Sequence, residues 1–113
     1  MVNNRYLIMA KYPPLCDAFI TQIKNRITEK NSDEVNADQQ QMHPSVLIDV
    51  RDEDEWVKGH LPGAIHIPRN KLEFRIEKVV ENAKTPLIVY CGGGGRSALA
   101  ANTLLQMGYT QVP

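Results

Sequence analysis

Cysteine is scarce in this 113-residue chain: two occur, Cys16 and Cys91, with neither a Cys-x-x-Cys pair nor the Cys/His spacing of a metal site. A zinc site is therefore not expected, and such sparing cysteine use fits a reducing cytoplasmic setting in which a thiol stays available. An excess of charge is missing too. Thirteen basic residues balance thirteen acidic ones, so no overall field recruits nucleic acid or an anionic membrane, and no like-charge run forms a tail. Long apolar runs are absent: Tyr6 to Ala10 is too short for a signal-peptide core, and nothing approaches a membrane span. The chain also lacks the Gly-Lys-Ser/Thr of a P-loop and the spaced glycines of a dinucleotide fingerprint, which argues against nucleotide binding.

What is present suffices for one domain. At 42% hydrophobic residues the chain can bury a core without staples. After Pro13-Pro14, Leu15, Phe19, Ile20, Ile23 and Ile27 recur at helical spacing, which predicts an amphipathic helix over 15–27 with its apolar stripe on the domain body. Residues 1–26 read as an N-terminal extension carrying that helix. The polar stretch 29–43 reads as a weak strand, a short helix from Ser32 and a connection. Residues 45–50 form an apolar strand broken only by Asp49, and Asp52 with Glu55 begins a short helix carrying Trp56. Gly59 to Gly63 is turn chemistry, followed by a strand over 64–67. Asn70 with Glu73 repeats the capping pattern ahead of a helix whose buried face is Leu72, Ile76, Val79 and Val80. A strand over 87–90 follows, and then a helix marked by Ala98, Ala101, Leu104 and Leu105 that Gly108 ends. Alternating strands and helices with short links predict an α/β fold, a parallel sheet with helices on both faces. In such sheets reactive groups sit at the carboxyl ends of strands, where Cys91 and Arg51 fall.

The strand over 87–90 delivers Cys91 into Gly92, Gly93, Gly94 and Gly95, then Arg96 and Ser97. Four glycines remove every side chain between strand and helix, so backbone N–H groups can turn inward around one anionic atom. The Cys91 sulfur is the natural occupant. A helix opening at Ser97 and the charge of Arg96 both favour thiolate over thiol. Such a sulfur is a nucleophile for S–S attack and a good leaving group afterwards, with no metal or organic cofactor required.

Three segments in order, Leu47-Ile-Asp-Val-Arg51, Gly59-His-Leu-Pro-Gly-Ala64 and Cys91-Gly-Gly-Gly-Gly-Arg96-Ser97, resemble the rhodanese-like sulfurtransferase family over about residues 27–112. Pro68-Arg69 and Leu72 to Ile76 are similar to a bacterial single-domain subgroup, some of whose members carry an extension like the first helix. The resemblance implies that Cys91 takes a sulfane sulfur from thiosulfate or a protein persulfide, holds it as a persulfide and passes it to a thiophilic acceptor. It implies that Gly92, Gly93, Gly94, Gly95, Arg96 and Ser97 bind the anion, and that Asp49 and Arg51 brace the loop in a supporting role. The family pattern continues past Gly-Tyr-x-x-Val with the rest of a fifth strand, a Gly-Gly turn and a last helix. This sequence ends at Gly108-Tyr-Thr-Gln-Val-Pro113, so a rhodanese-like domain over 27–113 is expected to lack most of that strand and the final helix.

Two other readings compete. Protein tyrosine phosphatases, and the cell-cycle phosphatases built on the rhodanese fold, place five residues between cysteine and arginine. Cys91 and Arg96 enclose four, a tighter loop that suits sulfur better than a tetrahedral phosphate, and this weighs against a phosphatase or arsenate reductase. A non-catalytic or sulfur-carrier module that binds a protein partner is the second alternative. Between Cys91 and Arg96 there is no lysine, which leaves protein persulfides as plausible donors beside thiosulfate. The remaining polar residues read structurally: His60 bonds its own loop, His66 belongs to a strand, Asp52 to Glu55 is a solvated helix start, and Cys16 is packing, exposed or a resolving thiol.

Overall fold

The computed structural model describes residues 12–113; the segment Tyr6 to Ala10 and the first part of the N-terminal extension lie outside the described residues. β1 (Val46–Asp49) is the middle strand of a three-stranded parallel sheet, between β2 (Ile65–His66) and β3 (Leu87–Tyr90). The register sets Asp49 opposite both His66 and Tyr90, so the polar residues of all three strands meet at the carboxyl edge. Strand alternation sends Ile48 and Val50 into the main core with Leu87. Leu47 and Ile88 point the other way and line a cleft shared with residues 31–39.

α1 (Pro14–Lys24) starts on the proline pair as expected but stops three residues short of Ile27, at the C-cap Asn25. Its stripe is only half used. Ile20 and Ile23 are buried against Ala98, whereas Leu15 and Phe19 stay exposed. α2 (Ser32–Gln39) is the short helix expected from Ser32, started by a complete capping box of Asn31 and Glu34, whereas the weak strand expected ahead of it does not form. α3 (Glu53–Val57) likewise opens on the Asp52/Glu55 box and carries Trp56.

The second expected box does not form. Asn70 lies inside a 3₁₀ turn (Arg69–Lys71) that leads into α4 (Leu72–Val79), and Glu73 is taken instead by Arg69 at 3.0 Å. Leu72, Ile76 and Val80 face the core, while Val79, the last residue of α4, lies off the face of Leu72 and Ile76 and is exposed. α5 (Gly95–Met107) begins two residues earlier than Ser97 and packs Ala98, Ala101 and Leu104 inward, with Leu105 on the surface. Gly108 ends it at φ +112°. The chain then turns back to the start of β3: Tyr109 Oη donates to the Val80 carbonyl at 2.6 Å, and the Leu87 amide donates to the Gln111 carbonyl at 2.9 Å.

Among the described residues no helix is long and apolar enough to cross a membrane. Ile48 is fully buried at the centre of this core. Ile48→Ala is expected to cost about 2–5 kcal/mol in chemical denaturation, whereas exposed Phe74→Ala should stay within about 0.5 kcal/mol.

Candidate active site

Cys91 follows the last residue of β3, and its sulfur is gripped from the backbone. The Gly94 amide donates to Sγ at 3.0 Å and the Ser97 amide at 3.3 Å. Both bonds depend on the turn. Gly94 is the N-cap of α5 and adopts φ +88°, a conformation that L side chains rarely take, and this folds the chain back over the sulfur. Gly95 is required for a different reason: a Cβ there would fall within 2.8 Å of Tyr12 Cζ, so the tyrosine can lie against the loop only because that position is bare.

Ser97 Oγ stands 3.5 Å from Sγ and 3.2 Å from the Gly94 carbonyl oxygen. Its single proton can serve either neighbour. In the thiol form the hydroxyl accepts from S–H and donates to Gly94; in the thiolate form it turns and donates to sulfur. Burial pushes the Cys91 thiol up, but the Ser97 hydroxyl and the amides of Ser97, Gly94 and Gly93 outweigh it and hold the group below its ordinary value. The unpaired N–H groups at the start of α5 act in the same sense.

Arg96 is not free beside the sulfur. Its Nη1 and Nη2 fork onto the two carboxylate oxygens of Glu55 at 2.6 and 3.2 Å, with Asp52 3.9 Å away. The Arg96 guanidinium is the main cause that holds Glu55 at about 2. Glu55 therefore does two jobs: it closes the capping box of α3 and it neutralises the arginine that follows the glycines. The capping role was legible in the sequence, the pairing across 41 residues was not.

Asp49 and Arg51 do meet, though not on the loop itself. Asp49 is fully buried and takes the Arg51 amide at 2.9 Å and its guanidinium at 2.7 to 3.0 Å. Arg51 reaches on to the Gly59 carbonyl at 2.7 Å and lies 5.8 Å from the centre of the Tyr90 ring, while Tyr90 Oη accepts from the Leu61 amide at 3.1 Å. Burial pushes the Asp49 carboxyl up, and these hydrogen bonds more than reverse it. The pair braces the 59–61 turn and Tyr90, the residue before Cys91; the expected bracing of the glycines is corrected to that. His60 likewise bonds the Trp56 carbonyl at the end of α3, at 3.2 Å, instead of its own turn. His66 donates to the Arg51 carbonyl at 2.8 Å, and both imidazoles stack on Trp56. Cys16 is free and exposed on α1.

Cys91, Gly94 and Ser97 open onto a cleft of about 760 Å³ with Leu61, Pro62 and Tyr90 at its rim. A cysteine sulfur at a strand end, held by the first amides of a helix at the carboxyl edge of a parallel sheet, stands where α/β folds carry their binding and reactive groups. The sequence pattern of the rhodanese-like domain family matches residues 29–113, and the chain belongs to that family. It is 38% identical over 65 residues to the thiosulfate sulfurtransferase PspE of Escherichia coli, covering 58% of this chain and 62% of that protein. It is 36% identical over 66 residues to the putative sulfur carrier protein YrkF of Bacillus subtilis, covering 58% of this chain and 35% of that one. The matched stretch spans about a third to three fifths of the length of these curated relatives. Among solved structures, RPA3614 of Rhodopseudomonas palustris, described as a possible tyrosine phosphatase, superposes with a TM-score of 0.78 at 28% identity over 86% of this chain and 80% of its own.

Two outcomes follow. Alkylation of Cys91 should titrate with a midpoint below the roughly 8.5 of a free thiol, and Ser97→Ala should move that midpoint toward alkaline pH. Because the folded-state value is lowered, the thiolate's contribution to stability is complete above the unfolded value and is lost as pH falls through the folded one. For the same reason the Glu55 contribution is present above 4.5 and lost only as pH falls toward about 2. Glu55→Gln should abolish it, read as a flatter acid limb in denaturation midpoint against pH.

Proposed function

We propose that the protein is a sulfurtransferase working through a Cys91 persulfide. The observation that carries the reading is the convergence of the Gly94 and Ser97 amides on the Cys91 sulfur at 3.0 and 3.3 Å. In the first half-reaction the thiolate attacks the outer, sulfane sulfur of thiosulfate. A new S–S bond forms to Cys91, the bond to the sulfonate sulfur breaks, and sulfite leaves with that electron pair. In the second, an acceptor nucleophile such as cyanide takes the outer sulfur, and the electron pair returns to Cys91 as thiolate. Oxidation states balance over the cycle, so no external oxidant or cofactor is needed.

The cradle serves both steps. Amides that stabilise a thiolate also stabilise the terminal sulfur anion of the persulfide, and they make Cys91 a better leaving group in the return step. Ser97 can follow the charge by turning its hydroxyl. The reading places Cys91 as nucleophile, Gly92 to Ser97 as the anion loop, and Asp49 and Arg51 as positioning residues. A thiophilic acceptor, small or protein-borne, and a reducing cytoplasmic setting complete it.

A sulfur-carrier role is the second reading, supported by the likeness to the putative carrier YrkF, and it uses the same persulfide without rapid turnover. Phosphatase chemistry is disfavoured. Sγ already takes both inward amides, and four residues between Cys91 and Arg96 leave an arginine tied to Glu55 where a phosphate clamp would need it.

Intact mass after incubation with thiosulfate is expected to show one added sulfur atom that cyanide removes, and Cys91→Ser should show none. An adduct that survives in Cys91→Ser sinks the proposal. Rapid release of thiocyanate marks an enzyme, and a stable persulfide with little turnover marks a carrier. Hydrolysis of p-nitrophenyl phosphate in place of either would establish the phosphatase.

A further inference from the structure

The glycine loop contains no lysine, and its arginine is neutralised by two carboxylates, yet a second cation stands beside it from outside. Lys24 is the last residue of α1, and its Nζ lies where a methyl group added to Gly94 would meet it, at 3.4 Å. Gly94 is the residue whose amide holds the Cys91 sulfur. Placement of this lysine is not accidental to the packing. The preceding residue, Ile23, is fully buried and with Ile20 docks α1 on Ala98 of α5, one turn from the loop. Tyr12, before the same helix, lies against Gly95 and packs into the same cluster.

The two cations differ in what already binds them. Arg96 is forked onto Glu55 with one contact of 2.6 Å and has Asp52 beside it, and its pair sits next to Gly92. Among the described residues Lys24 meets a single carboxylate, Glu29, at the longer distance of 3.6 Å, with 36% and 54% of the two side chains exposed. A point charge on a flexible stem, loosely paired and half solvated, exchanges partners at small cost. Glu29 lines the Cys91 cleft, so it can hold the lysine near the loop until an anion enters.

We propose that α1 is a working part of the site: Lys24, released from Glu29, binds the anionic end of the sulfur donor beside Gly94, the role that Arg96 cannot fill while tied to Glu55. For a donor such as thiosulfate the sulfonate pairs with Lys24 while the sulfane sulfur meets Cys91. This deepens the sulfurtransferase reading and rests on it for the identity of the donor. Lys24 acts on recruitment and orientation, so its removal raises KM for an anionic donor without changing the chemistry at sulfur.

The test reads anion attraction at Cys91 apart from catalysis. In a Cys16→Ser background, Cys91 is alkylated with iodoacetate, an anion, and with iodoacetamide, its neutral counterpart, on the alkaline plateau of each variant. Lys24→Gln is expected to lower the iodoacetate-to-iodoacetamide rate ratio about fivefold at low salt, with the difference shrinking near 1 M salt as screening shortens to about 3 Å. Lys24→Arg should retain most of the ratio, and Glu29→Gln should raise it. With thiosulfate, Lys24→Gln should raise KM several-fold at constant kcat. Equal denaturation midpoints for Lys24→Gln and its parent exclude a folding effect.

An unchanged alkylation ratio overturns the proposal. A lowered ratio with unchanged thiosulfate KM overturns the donor-binding role. If the parent shows neither persulfide nor turnover while the ratio still falls in Lys24→Gln, the sulfurtransferase reading is lost and the anion site beside Gly94 stands by itself.

Discussion

A single sulfur atom organises this structure. Two backbone amides, from Gly94 and Ser97, must reach Cys91 Sγ at 3.0 and 3.3 Å, and nearly every local feature near the site follows from that demand. A chain leaving a strand cannot bring amides three and six residues ahead back onto the strand's own end unless it reverses sharply. Gly94 supplies the reversal at φ +88°, and α5 begins at once so that its unpaired amides are the ones that arrive. The sheet has to hold its end of the arrangement rigid. Pairing of Asp49 with Tyr90 across β1 and β3 does so one residue before the cysteine.

Two ion pairs of different character flank this centre. Asp49 with Arg51 is a buried unit, satisfied on several sides, and its hydrogen bond to the Gly59 turn, with Arg51 over the Tyr90 ring, ties the edge of the sheet together. Removing one partner would leave an uncompensated charge in the core, which is why such pairs matter more for geometry than for net stability. Glu55 with Arg96 is half exposed and acts on charge. It cancels the arginine at the loop, so the electrostatic favour shown to the Cys91 thiolate comes from oriented N–H and O–H dipoles more than from a guanidinium. A formal charge next to a cysteine in sequence is thus a poor measure of the field at its sulfur.

Periodicity and capping made most of the elements readable. The continuous apolar stretches became β1 and β3, the Asp52/Glu55 pair became a true capping box, and Gly108 ended α5. The misreadings have physical causes. Asn70 and Glu73 have the spacing of a box, but Arg69 offers Glu73 a charged partner at 3.0 Å, which a backbone amide does not match. The weak strand expected ahead of Ser32 does not form, because Asn31 is taken as the cap of α2. Leu15 and Phe19 belong to the apolar pattern of α1, yet only the part of the stripe that meets Ala98 is buried. Glu55 was visible only as a cap, since a contact across 41 residues leaves no trace in local spacing.

The sequence by itself determined the backbone cradle around the Cys91 sulfur. A strand, a cysteine, four glycines and a helix in unbroken order leave the backbone little else to do, because those bonds are local and span no more than six residues. Tertiary structure decided which charges the sulfur feels. Glu55 arrives from α3 to silence Arg96, and Lys24 arrives on α1 to stand beside Gly94, each carried there by helix packing and capping. Charge acts through space with a reach of several ångströms, so its bookkeeping closes only when distant segments have been brought together.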